Sequence, residues 1–376
     1  MTPWIVGWAA DRARKALLRP PTERHLLFAV CDHFEPGHGL APPDVARARV
    51  RAWREAFPAL AARFRDSAGR GPRHTFFFPG EAYDPRLVEP LAELVQAGHA
   101  EIEVHLHHDG DTRASLEEKL RRTLASLGQH GVVARRSGKA AWAFIHGNWA
   151  LANGRPDGRW CGVDDELTLL GELGCYADFT FPSAPDPCQP AIVNRIYYAR
   201  DDARRRAYDR ADRKPPPAKG AGNGGRVLLV EGPLALARRE PRSPSRGRRL
   251  GLRLESGALD AGDPPSRARL RTWIEQFVHV DGRPEWTFVK VHTHGAPEKN
   301  ARVLLGEAMA DLHAALGELA SGVEGPPEAA GWRVHYVTAR EMYNVARAAM
   351  DGMRGSPAAY IDYDVPPADR GRMQPT

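Results

Sequence analysis

Two rhythms of apolar and polar positions alternate along the chain from residue 25 onward. A period of two marks a strand, and a period near 3.6 marks a helix. HLLFAVC (25–31) reads as a strand running into DHFEPGHG. Val45, Val50, Trp53, Phe57, Leu60 and Phe64 recur at helical spacing, which predicts a helix within 43–67. RHTFFF (73–78) is a strand that stops at Pro79-Gly80, and a helix follows from about Asp84 to Ala97, ended by Gly98. EIEVHLHH (101–108) is a strand with Ile102, Val104 and Leu106 on one face and Glu103, His105 and His107 on the other. Further on, the pattern predicts a helix from Thr112 to about Leu127, the strand AWAFIH (141–146), a helix over 164–173 and the strand YADFTF (176–181). After residue 250 it predicts a helix at 266–279, the strand WTFVKVH (286–292), a long helix at 298–320, the strand WRVHYVT (332–338) and a last helix, REMYNVARAAM (340–350).

Repeated β-α units with short connections imply a parallel sheet or barrel. The expected fold is therefore α/β, a parallel sheet or barrel spanning 25–355. The rhythm breaks between 201 and 250, where the chain holds RRR, PPP, GAGNGG and SPSRGRR, and only VLLV (227–230) has a strand pattern. This stretch reads as a basic, partly flexible insertion at about 201–258, and deleting 203–249 should leave the site intact. Residues 356–376 read as an irregular tail. Residues 1–24 form an amphipathic segment, with Trp4 and Trp8 one turn apart and Arg12, Arg14 and Lys15 following. Docking on its own domain is the favoured role, and contact with an anionic membrane surface the second. The apolar part precedes the charges and is short, so neither a secretory signal nor a transmembrane helix is read. A cytoplasmic or membrane-peripheral protein is expected.

Composition narrows the classes. With 376 residues, 42% of them hydrophobic, the chain is neither largely disordered nor a bundle of membrane spans. Its 53 Lys+Arg against 47 Asp+Glu give a net charge of +6, which invites a nucleic-acid reading. Residues 201–250 alone hold 14 basic and 6 acidic side chains, a net of +8, so the remainder sums to −2. The excess is local, and the basic stretch lacks interleaved aromatics, so no nucleic acid is expected as partner. Cys31, Cys161, Cys175 and Cys188 include no CxxC pair and read as buried or incidental thiols.

Histidines carry the chemistry. Many of the 15 fall at predicted strand C-terminal ends: His33 and His38, then His105, His107 and His108, then His146, then His292 and His294. In βα folds those ends meet on one face, where active sites form. In EVHLHHDGDT, His105 and Asp109 stand four apart as the chain leaves a strand, and imidazole with carboxylate suits zinc or another divalent first-row metal. Asp32 or His33 would supply a third ligand. No Walker lysine, Gly-x-Ser-x-Gly elbow or His-Glu-x-x-His is present.

This ordered series resembles the polysaccharide deacetylase (NodB-homology) family of carbohydrate esterases. CDHFEP is similar to that family's first strand end, HTFFFPG (74–80) to its second strand, QAGHAEIEVHLHHD (96–109) to its histidine motif, and LLGELGCYADFT (169–180) to a later segment; His292 closes FVKVH as the family's last histidine closes a strand. The resemblance covers about 25–190 and 286–340. It implies a distorted (β/α) barrel and a metal-dependent hydrolase that removes N-acetyl groups from an amino-sugar polysaccharide or glycan precursor, with a divalent metal, zinc, as cofactor. Asp32 or Glu35 would be the base, and His292 or His294 the acid. His33, His105, Asp109 and Asp32 would be the candidate ligands. Asn148 and Trp149, with His146 and His108 beside them, would contact the sugar by hydrogen bond and stacking. The family's Asp-Asp pair is replaced by Cys31-Asp32 or Asp32-His33, its second metal histidine by Asp109, and its Arg-Pro-Pro-Tyr segment by Ile145-His146-Gly147-Asn148. The alternatives are a glycoside hydrolase on a related barrel, with two carboxylates drawn from Asp32 or Glu35 and Asp109 or Asp165, and a non-catalytic glycan-binding barrel.

Overall fold

The computed structural model describes residues 3–19, 21–202, 206–238, 251–321 and 331–369. Thirteen strands occur among them: β1 (Arg24–His33), β2 (His74–Pro79), β3 (Ala100–Leu106), β4 (Ala134–Arg136), β5 (Lys139–His146), β6 (Cys175–Asp178), β7 (Ile196–Ala199), β8 (Val227–Val230), β9 (Ala235–Arg238), β10 (Leu252–Glu255), β11 (Ala258–Leu259), β12 (Trp286–Thr293) and β13 (Trp332–Tyr336). The helices are α1 (Pro3–Lys15), α2 (Pro43–Ala61), α3 (Pro85–Gln96), α4 (Arg113–Gly128), α5 (Glu166–Glu172), α6 (Arg267–Glu275), α7 (Glu298–Leu304), α8 (Glu307–Ser321) and α9 (Ala339–Met350).

Eleven strands form one mostly parallel sheet in the order β11-β12-β1-β2-β3-β5-β6-β8-β7, with β13 beside β1 and β4 beside β5. Only β7 and β4 run antiparallel to their partners. The sequence of β1 explains its central place. All but its first residue are buried, and it pairs with β12 along most of its length, with β13 at its start and with β2 at its end. Strands covered on both faces read as continuous apolar runs, as HLLFAVC does.

Each face has its own core. Phe28, Val30, Phe76, Phe78, Val104 and Phe144 point to one side, against Trp53 and Phe57 of α2, Leu91 of α3 and Leu120 of α4. Leu27, Ala29, Cys31, Phe77, Ala143 and Ile145 point to the other, against Met342, Tyr343, Val345 and Ala346 of α9. Helix α9 is buried at every residue except Met350, and Thr338 and Glu341 close its first turn with a reciprocal capping box.

Several expectations change. The predicted helix over 298–320 is two helices, broken around Gly306, where helix propensity is lowest among non-proline residues. The 201–250 stretch is not a separable insertion. VLLV is β8, paired with both β6 and β7, and Asn223 Nδ2 donates to the carbonyls of Cys175 (2.8 Å) and Tyr176. Deleting 203–249 would remove a buried strand from the sheet. Its Pro/Gly/Arg-rich flanks dilute the four-residue signal, which is why the sequence reads as a loop. Residues 239–250, with SPSRGRR, lie outside the described residues. The tail after Gly355 is largely irregular yet docked: Asn344 Nδ2 donates to the carbonyls of Ile361 and Val365, and Val365 is buried. No described helix is long and apolar enough to cross a membrane.

Helix α1 packs on its own chain. Trp4 is buried beside Ala184, Val193 and Leu234, and Lys15 Nζ donates to the carbonyls of Gln276 (2.6 Å) and Asn194 (3.0 Å). Gly7 permits the approach: a Cβ there would lie 1.8 Å from the carbonyl oxygen of Ala191. Gly7→Ala is expected to lift α1, at a cost of about 1–3 kcal/mol for overpacking. A red-shifted tryptophan emission and faster proteolysis near the N-terminus would record it; an unchanged emission and digestion rate would contradict the docking.

Candidate metal centre

Alternation along three strands builds the site. His33 ends β1, His105 lies near the end of β3, and His292 near the end of β12, with His294 just beyond. His33 continues the 27-29-31 side of β1, while Asp32 belongs to the opposite side. The parallel register places these ends at one edge of the sheet: Cys31 sits opposite His292, and Pro79 opposite His105. The ring centroids of His33 lie 5.0 Å from His105, 4.8 Å from His294 and 6.2 Å from His292.

Glu35 completes the group. Its carboxylate oxygens stand 3.5 Å from His105 Nε2, 3.6 Å from His294 Nε2 and 3.4 Å from His38 Nδ1. One atom each from His33, Glu35 and His105 lies within 4.8 Å of the others. Burial alone would raise the Glu35 carboxyl, but His105, His294 and His107 together hold it down at about 2, so it is a carboxylate at neutral pH. Burial, followed by repulsion from His294 at His33 and from Lys290 at His292, keeps these two rings far below the usual histidine range, and burial lowers His294 as well. Neutral imidazoles beside an ionised carboxylate are the protonation states that ligands require.

The donor set fits a divalent first-row cation. His33 Nδ1, His292 Nδ1 and both ring nitrogens of His105 are buried without a hydrogen-bond partner. Buried polar atoms are ordinarily paired, so these unpartnered nitrogens suit a cation as their partner. Two imidazoles and a carboxylate, with further histidines at the rim, suit zinc and its neighbours.

His107 pairs with a carboxylate at the rim. Burial would lower it, but its Nδ1 lies 2.5 Å from Glu81 Oε1, and the pair raises it above the ordinary value. The chain passes close by at Gly147, where a Cβ would fall 2.4 Å from the His107 ring.

Other expected site residues lie elsewhere. Asp32 is fully buried on the opposite side of β1, where its carboxylate takes His74 Nε2 at 3.0 Å and the N–H of Gly295 at 2.7 Å. It fastens the segment that carries His294 and does not enter the cluster. Asp109 is exposed, because the strand ends at Leu106 and strict alternation ends with it; its Oδ1 accepts the N–H of Trp160 at 2.5 Å. Asp165 pairs with Arg113. His108 and His146 turn to the other side of the sheet and meet Cys161 and Glu166 in a second buried group. Asn148 Nδ2 donates to the carbonyl of His108, and Trp149 is partly buried against the core. Neither Cys161 nor Glu166 is singled out by local spacing, since their partners come from residues 108 and 146. Glu81, just past β2, meets His107 from the end of the neighbouring β3 and carries no sequence signal either.

No known family profile matches this chain, and no curated protein resembles it in sequence beyond chance.

Proposed function

We propose that the protein is a metal-dependent hydrolase acting on an N-acetylated sugar or glycan precursor, built on a distorted (β/α) barrel. One observation carries this reading: His33, Glu35 and His105, with His292 and His294 beside them, converge at the C-terminal ends of three parallel strands. Active sites of βα folds form at that edge. The resemblance of CDHFEP, HTFFFPG and EVHLHHD to carbohydrate deacetylases supports the substrate class.

His33, Glu35 and His105 would hold the cation, in place of the Asp32 and Asp109 expected from sequence. When bound, the cation supplies Lewis acidity, polarising an acetamide carbonyl and acidifying nearby water. His294 is the half-open member of the cluster, with its side chain 37% exposed and 3.6 Å from Glu35. As a neutral imidazole it accepts the water's proton, and as an imidazolium it returns that proton to the leaving amine. Glu35 stabilises the imidazolium between the two transfers. His107, whose protonated form Glu81 favours, faces developing negative charge from the rim.

The glycosidase alternative draws little support from the geometry. It needs two opposed carboxylates, and Asp32, Asp109 and Asp165 are each engaged elsewhere. Incubating the zinc- or cobalt-loaded protein with N-acetylglucosamine oligomers separates the readings. Acetate release without new reducing ends is the expected result. New reducing ends without acetate would overturn it.

A further inference from the structure

We propose that His108, His146, Cys161 and Glu166 form a second, closed site for a divalent cation, zinc by its donor chemistry, that fixes the 147–165 loop. The site stands apart from the hydrolytic reading and does not depend on it.

The four residues come from the ends of β3 and β5, from the loop and from the start of α5. All four are buried, and one donor atom of each lies within 4.8 Å of the others. Within the group, His108 Nε2 is 3.1 Å and His146 Nε2 4.0 Å from Glu166 Oε1, and Cys161 Sγ is 3.4 Å from Glu166 Oε2. A tetrahedral ion with bonds of about 2.0–2.3 Å holds its ligand atoms about 3.3–3.8 Å apart. The group is close to that spacing. Two imidazoles, one sulfur and one carboxylate are a zinc-type set, and the absence of solvent exposure matches a structural site rather than an open catalytic one.

Proton bookkeeping points the same way. His108 faces carboxylate oxygen on both sides, with Nε2 against Glu166 and Nδ1 3.2 Å from Asp111 Oδ2. A neutral imidazole has one N–H and can satisfy only one of them. A cation at Nε2 leaves the proton on Nδ1, facing Asp111, the carboxylate–histidine–metal relay common in such sites. Asp111 is itself fixed by Lys119 Nζ (2.7 Å) and Ser115 Oγ (2.6 Å). His146 Nε2 is buried without a partner, while its Nδ1 accepts the N–H of Asn148 at 3.2 Å. Capture through Nε2 moves the ring proton to Nδ1 and opens that contact.

The loop between the ligands gives the site its purpose. Trp149, Ala152, Asn153 and Trp160 all hold positive φ, between 50° and 70°. Non-glycine residues keep such backbone only where surrounding contacts over-determine it. Ligands at its entrance, inside it and just past its end supply that determination, and Glu166 Oε2 also accepts the N–H of Ala152 at 2.6 Å.

Cobalt tests this directly. The full chain, stripped by chelator and reloaded with Co²⁺ alone, is expected to show a thiolate-to-cobalt charge-transfer band and to retain about two ions per chain. Cys161→Ser should lose the band and about one ion. His33→Ala should lose the other ion and keep the band, which separates this site from the proposed hydrolytic one. A wild-type spectrum without the band, or a band that survives in Cys161→Ser, would overturn the proposal. If Cys161→Ser does not fold, the chain with Cys31, Cys175 and Cys188 changed to serine decides: the band must remain when Cys161 is the sole cysteine, and its absence refutes the site.

Discussion

His105→Ala is expected to lower the rate of acetyl hydrolysis by at least about 10²–10³-fold and to abolish tight binding at the first site. The magnitude follows from position. Outer-shell partners of metal ligands are already worth 10–100-fold, and a single electrostatic donor in an active site is worth about 10²–10³-fold. His105 is fully buried in the middle of the sheet, flanked by β2 and β5, and lies close to both His33 and Glu35. Its loss leaves a void that no neighbouring side chain fills from the rim. His38→Ala is the matched control, because His38 also touches Glu35 but is exposed. A fall of less than about threefold is expected there, in line with the small worth of exposed ion pairs. Equal losses in the two variants would contradict the assignment of His105 as a ligand.

The second large effect is on stability. Arg340→Ala is expected to cost about 3–5 kcal/mol, the range for breaking a buried ion pair from one side. Arg340 is 2% exposed. Its Nε and Nη2 donate to Glu101 Oε1 at 3.0 and 2.8 Å, and its Nη1 donates to Asp362 Oδ1 and to the carbonyl of Val365, both at 2.7 Å. The guanidinium therefore ties α9 to β3 and to the docked tail. Removing it leaves the buried Glu101 carboxylate without its cation and the Val365 carbonyl with one donor fewer. Against a total stability of about 5–15 kcal/mol, the variant should melt roughly 5–10 °C lower or fail to accumulate. Arg340→Met combined with Glu101→Met should recover much of the loss, because the cost lies in the unpaired charge. A single variant as stable as the wild type would show the pair is solvated.

A carboxylate in the same region adds to stability against acid. Burial alone would raise Glu341, but Arg73, Arg70 and Arg340 hold it below the ordinary carboxylate value. A depressed folded pKa contributes stability that is present above the unfolded value of about 4.3 and is lost as pH falls through it toward the folded value.

Legibility in the sequence followed packing symmetry. β1, β2, β3, β5 and β12 are long, sit between parallel neighbours and read as apolar runs, so their placement was visible to within a few residues. β7, β9, β10 and β11 are two to four residues long, and a pattern of period two needs more residues than that to register. The site divided along the same line. His33, His105, His292 and His294 are legible as a group because strand ends converge, and the alternation of β3 puts His105 on the side where His33 also lies. Asp32 misled because one step along β1 changes the face, and residue identity alone does not say which of Asp32 and His33 points inward. Asp109 misled because it lies past the strand end, where alternation no longer governs direction. Cys161 and Glu166 were invisible because contact between loop, helix start and two strand ends is tertiary information.

Metal content of the purified full-length chain tests the central claim most directly. After exhaustive dialysis against metal-free buffer and reloading with zinc, the protein should retain ions at the first site. His33→Ala and His105→Ala should each retain about one ion fewer per chain, while keeping the wild-type circular dichroism spectrum. A wild-type protein that binds no zinc, or variants that bind as much as it does, would contradict a metal centre built from His33, Glu35 and His105.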